Sequence, residues 1–179
     1  IHPEEIDHVV IPRKRSAHLL RKALWAKRLP HMALGRAGAW RRFGDIKETL
    51  ADCLNVPSSQ IRAQFHFVEH HAAHAASSFY ASPFDKAAVL TLDGLGDFAS
   101  MVWGMGEDRD LAINGAVLFP HSMGLFYTAI TQYLGFWNYG DEYKVMGLGA
   151  YGEPKYGELF EEMVRVGRDQ KFTLNLRYF

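Results

Sequence analysis

The run Glu69-His70-His71-Ala72-Ala73-His74-Ala75-Ala76-Ser77 holds the densest set of potential metal ligands in the chain. If this alanine-rich run is helical, His70 and His74 stand four apart on one face, with β-carbons about 6 Å apart. Two imidazole nitrogens can then converge on one ion at about 2.1 Å each. His71 is turned about 100° from that face, which gives it a second-shell or structural role. The small alanines would let another strand or a ligand approach closely. A polar helix face would carry the same histidines without any metal. The His-Glu-x-x-His order is missing, because position 71 is histidine, so a zinc protease is disfavoured.

A second set of reactive types lies in Leu90-Thr91-Leu92-Asp93-Gly94-Leu95-Gly96-Asp97. A strand ending in Asp93, followed by Gly94 and Gly96, lets backbone amides reach a phosphate or a metal-bound water while the carboxylate binds or positions a cation. Two imidazoles and a carboxylate with open positions form a site for a catalytic divalent metal. An ordinary Asp-Gly hairpin turn would read the same way. Farther on, Phe119-Pro120-His121-Ser122-Met123-Gly124 leads into a helix that Ser122 can cap, with amides near Gly124 available to an anion. His121 is a second-shell candidate there. In Gly140 to Gly152, glycine density allows a tight loop against a ligand, and Lys144 could neutralise a phosphate or be only a solvated charge.

These residues need elements to position them. Asp7 to Pro12 reads as a short buried strand and Gln64 to Val68 as another. Between them, residues 13–42 are rich in Arg, Lys and His, interleaved with Leu19, Leu20, Leu24, Trp25, Leu29 and Trp40 at near-helical spacing. A basic amphipathic helix for an acidic or phosphate-bearing partner and a solvated helical face both fit this pattern. Asp45 to Leu54 reads as a short helix stopped by Asn55-Val56-Pro57, and Ser58-Ser59 as a cap or turn. Glu69 to Tyr80 should be helical until Ser82-Pro83. Ala87 to Leu92 reads as a buried strand, with Asp93 to Asp97 turning out of it. Phe98 to Met105 and Asp110 to Phe119 complete an antiparallel meander. A helix over Gly124 to Leu134, a loop over Gly135 to Gly152, a helix over Glu158 to Val166 and a strand-like run from Lys171 follow. The fold class is α/β, with α+β as the variant, and a mixed β-sheet flanked by helices.

Composition narrows the function. With 179 residues, 48% of them hydrophobic, the chain has material for one core. Its 20 basic and 20 acidic residues cancel, so no global field draws nucleic acid or an anionic membrane. No apolar stretch approaches a bilayer span, and the amino end lacks the apolar core of a secretion signal. The single cysteine, Cys53, makes no internal disulfide. A reducing cytoplasm is the expected setting, and both chain ends read as cut.

Taken in order, His-His-x-x-His-Ala, Ser-Pro-Phe at Ser82 to Phe84, Leu-Asp-Gly-x-Gly, Pro-His-Ser-x-Gly-Leu-x-Tyr and Glu-Tyr-Lys-Val-Met-Gly-Leu resemble the NodU and CmcH type of O-carbamoyltransferase. The likeness runs from about Phe67 to Tyr156. Gly149 stands where alanine is common in that family. The resemblance implies an actin-like, Hsp70-like nucleotide-binding fold, of which residues 1–179 are an internal fragment. It also implies a YrdC-like domain, absent from this sequence, that makes a carbamoyl-adenylate from carbamoyl phosphate and ATP. The carbamoyl group then passes to an acceptor hydroxyl on a natural product or sugar. On this likeness His70, His74 and Asp93 match the family's ligands for a divalent metal, with Fe(2+) the expected ion, and Gly94, Gly96 and Lys144 serve nucleotide or phosphate. A homodimer is compatible with it. The competing expectation is a non-catalytic nucleotide- or partner-binding module of the same fold. A sugar kinase of this fold has no reason to hold the histidine pair.

Overall fold

A long antiparallel meander, β3 (Lys86–Gly96), β4 (Ala99–Glu107) and β5 (Asp110–Leu118), is the largest sheet among the described residues. The computed structural model describes residues 2–31, 34–35, 46–169 and 171–179. They fall into two units, Ile1–His70 and His71–Phe179.

In the first unit, β1 (His8–Ile11) pairs in parallel with β2 (Gln64–Phe67), with Val10 opposite His66 and Ile11 opposite Phe67. The expected burial of the first strand is corrected: none of its residues is buried, and Val10 is 58% exposed. A two-stranded ribbon has two faces, and among the described residues of this unit the buried apolar side chains are Ala51 and Ile61. Helix α1 (Leu19–Arg28) lies in the basic segment, with Lys27 and Arg28 in its last turn, where cations suit the carbonyl end. Residues 32–33 and 36–42 of that segment, with Trp40, lie outside the described residues, as does Asp45 ahead of α2 (Ile46–Leu54). That helix ends where Asn55 takes a φ of 54°; Val56 N–H bonds the Ala51 carbonyl and Asn55 N–H that of Asp52. This pair of bonds satisfies two terminal carbonyls, and Pro57 prevents continuation.

In the second unit, α3 (His70–Tyr80), whose first residue sits at the division, packs on the meander. Ala75 and Phe79 meet Val89, with Ala87 and Leu111 beside them. Gly106 has to be glycine here, since a β-carbon would come within 2.5 Å of the Phe79 ring. The strand expected to be buried over Ala87 to Leu92 instead alternates, with Leu90 64% and Leu92 56% exposed, because α3 covers one face only. The turn expected at Asp93 to Asp97 is also corrected. The strand continues to Gly96 with a register shift after Leu92, and Asp97 and Phe98, at φ 50° and 82°, reverse the chain. Positive φ at both loop residues matches the twist of the flanking strands.

Helix α4 (Met123–Tyr133) starts at Ser122, whose hydroxyl accepts the Leu125 N–H. The expected loop over Gly135 to Gly152 contains a helix, α5 (Glu142–Gly149): Glu142, Lys144, Met146 and Leu148 favour helix, and most of the glycines flank it. The expected helix over Glu158 to Val166 is α6 (Gly157–Met163) only. Val164 to Val166 form β6, because this β-branched run pairs with β7 (Phe172–Leu174). Helices and strands are thus mixed, and parallel and antiparallel pairings occur in separate sheets. Among the described residues, no helix is long and apolar enough to cross a membrane.

Candidate metal centre

His70 is the first residue of α3, and His74 stands one turn farther on. Asp93 follows the register shift of β3. The structure brings these three together, with one ligand atom from each within 4.8 Å of the others. His74 Nε2 and Asp93 Oδ2 are 3.6 Å apart. Three ligand atoms about 2.1 Å from one ion are at most about 4.2 Å apart, so small side-chain rotations suffice to close the set. Two nitrogens and one carboxylate oxygen suit a first-row divalent ion. His74 and Asp93 side chains remain 53% and 41% exposed, which leaves one side open to a substrate.

The neighbours of each ligand set its orientation. His70 Nδ1 lies 3.3 Å from the Pro12 carbonyl oxygen. A carbonyl only accepts, so Nδ1 carries the proton and Nε2 keeps a lone pair for an ion. One carboxylate oxygen of Asp93 accepts the Gly94 N–H at 2.6 Å while the other faces His74. The strand at this point is fixed from α4: the buried Ser122 hydroxyl donates to the Gly94 carbonyl. Gly124 lies flush against it, for a β-carbon there would sit 2.7 Å from Gly94 Cα and N and 2.8 Å from Asp93 O.

The other residues singled out in the sequence have different surroundings. His71 is fully buried, with Nε2 3.0 Å from the Ala99 carbonyl and Nδ1 2.7 Å from the Thr91 hydroxyl. Both nitrogens are thereby engaged, and the ring ties α3 to β3 and β4. His121 is outside the three-ligand set: its Nδ1 accepts the Leu174 N–H at 3.1 Å, and burial holds its pKa below 6.5. Gly96 pairs with Ala99 at the hairpin end, and the Gly94 amide is taken by Asp93.

Lys144 is on a helix rather than a flexible loop, 2.7 Å from Asp141 Oδ1 and over the rings of Phe136 and Tyr143. The Lys144 ammonium, bonding its carboxylate, holds Asp141 below the usual carboxylate range, and Asp141 raises Lys144 in turn. Asp141 also accepts from Asn138 N and Nδ2 at 3.0 and 3.3 Å. The sequence reading missed Pro12 behind His70, and Thr91 and Ala99 around His71. These contacts join residues 58, 20 and 28 positions apart and leave no local signal.

Residues 26–179 match the family model described as Carbamoyltransferase N-terminus. Nodulation protein NolNO of Sinorhizobium fredii is 42% identical over 103 residues, covering 56% of this chain and 15% of its own length. Nodulation protein NolO of Bradyrhizobium diazoefficiens is 44% identical over 102 residues, 55% of this chain and 18% of its own. An uncharacterized protein of Synechocystis is 47% identical over 114 residues, 63% of this chain and 18% of its own. The chain therefore spans less than a fifth of the length of these three relatives.

Proposed function

Since the chain belongs to the family of the carbamoyltransferase N-terminus, we propose that it supplies the metal-bearing part of a carbamoyl-transfer site. The convergence of His70, His74 and Asp93 carries this reading. These three would hold a divalent ion, with Fe(2+) the proposed identity, which would supply Lewis-acid polarisation of a carbonyl or phosphate oxygen.

His70 and His74 offer neutral nitrogen donors, and Asp93 offers a negative charge that favours a cation. Ser122 and Gly124 keep the carboxylate in place, and the exposed side of His74 admits the substrate. On the nucleotide side we place Gly94 and Gly96, whose missing side chains allow close approach, and Lys144 as the phosphate-facing cation once it exchanges Asp141 for a ligand oxygen.

The donor in this reading is a carbamoyl-adenylate, made from carbamoyl phosphate and ATP by a YrdC-like domain of the full-length protein. The fold of this portion, in the same reading, is the actin-like nucleotide-binding one. The oxygen of a small-molecule hydroxyl bonds to the carbamoyl carbon, the carbon-to-phosphate oxygen bond breaks, AMP leaves, and the hydroxyl proton passes to solvent. The setting is the cytoplasm.

Metal analysis of the chain with His70→Ala, His74→Ala and Asp93→Asn tests the reading. One ion per chain, lost in each variant together with carbamoyl transfer by the full-length protein, is expected. Metal content unchanged in all three overturns it. The isolated 179 residues should show no turnover, and detectable transfer by them would refute that part.

A further inference from the structure

Apart from the three-ligand set, His8 of β1 and His66 of β2 bring Nδ1 and Nε2 to 3.0 Å from each other, with ring centroids 5.0 Å apart and planes at 55°. The parallel register creates the pair. Val10 lies opposite His66, and His8, two residues before Val10, points to the same face. Both rings are exposed. Among the described residues the one three-ligand grouping is His70, His74 and Asp93, so no third histidine, cysteine or carboxylate joins this pair.

We propose that His8 and His66 form a second, separate metal site that chelates one Cu(II) or Ni(II) ion. The spacing suits one shared ion. Two nitrogens about 2.1 Å from a metal are about 3.0 Å apart at a right angle and about 3.4 Å apart at a tetrahedral angle. A separation of 3.0 Å lets both rings reach one ion, and among the divalent first-row ions nitrogen donors hold Cu(II) most tightly, with Ni(II) below it.

In the pair as it stands, one ring N–H donates to the lone pair of the other ring. Chelation needs both lone pairs facing the ion, so the ring protons sit on His8 Nε2 and His66 Nδ1, and a neutral pair binds without net proton release. Water fills the remaining positions. The hydrogen-bonded strands hold the two imidazoles close before the ion arrives, and that proximity gives the second ligand its advantage.

The experiment is a Ni(II) titration of the chain by calorimetry, in a Cys53→Ser, His74→Ala background that removes the exposed thiol and the first centre. One equivalent is expected. His8→Ala and His66→Ala should each weaken it roughly a hundredfold. Cu(II) electron paramagnetic resonance should show hyperfine coupling from two nitrogens, reduced to one in either variant. Circular dichroism checks that these exposed substitutions leave the fold intact, and His8→Gln gives a second variant that keeps side-chain size. Stoichiometry and affinity unchanged in all three variants overturn the proposal. Because the background lacks His74, the result is independent of whether the first centre holds metal.

Discussion

Ser122 donates its hydroxyl hydrogen to the Gly94 carbonyl and accepts the Leu125 N–H at 3.1 Å, so one buried side chain both caps α4 and fixes the strand residue beside Asp93. Ser122→Ala removes the cap and the hydroxyl bond to the Gly94 carbonyl. The two losses should lower unfolding free energy by about 2 kcal/mol, measured in urea. Metal affinity should fall with it, because Asp93 loses its anchor. Lower stability with full affinity would show that α4 does not position the ligand.

Gly124→Ala probes the same junction from the other side. Alanine favours helix over glycine by about 1 kcal/mol, so propensity alone stabilises α4. The added carbon, however, meets three backbone atoms of Asp93 and Gly94 at 2.7 to 2.8 Å, and backbone yields less readily than a side chain. The clash should win, with weaker metal binding by calorimetry as its sign. A variant that is more stable and binds metal as well as the parent would refute the close approach.

The adjacent histidines should separate stability from metal binding. His71→Phe removes partners from the buried Thr91 hydroxyl and Ala99 carbonyl and should cost about 2 to 4 kcal/mol. Its metal stoichiometry should persist wherever the protein remains folded. His74→Ala, at an exposed position, should lose the ion and change the unfolding midpoint of metal-free protein little. The reverse pattern, metal lost through His71 and stability through His74, would exchange their roles.

The helical period made the difference between these two histidines legible before any coordinates, since four-residue spacing puts His70 and His74 on one face and excludes His71. The Ser122 cap was legible for the same local reason. Other features depended on distant partners. Leu90 and Leu92 read as buried because their run is apolar, yet only one face of β3 meets α3. Val164 to Val166 read as the end of a helix until Phe172 to Leu174 offered them a ladder. Lys144 read as a loop cation because Gly140, Gly147, Gly149 and Gly152 surround it. The i,i+3 spacing from Asp141 was visible, but the helix that makes the two meet was not.

His121 should make stability pH-dependent. Its Nδ1 accepts the Leu174 N–H, and burial lowers its pKa from 6.5, so the folded protein holds the ring neutral where the unfolded chain already takes up a proton. Stability therefore rises with pH across the window between the lowered value and 6.5. Acidification from neutrality should progressively remove this contribution until the pH falls below the folded-state value, where the loss is complete. Protonation at Nδ1 also ends its role as acceptor, so the β6–β7 pairing should open first, with faster hydrogen exchange at the Leu174 amide. His121→Gln keeps an acceptor and does not titrate. Urea midpoints at about pH 5 and pH 7.5 should diverge more in the parent than in this variant, and equal differences in both would show that His121 is not the group responsible.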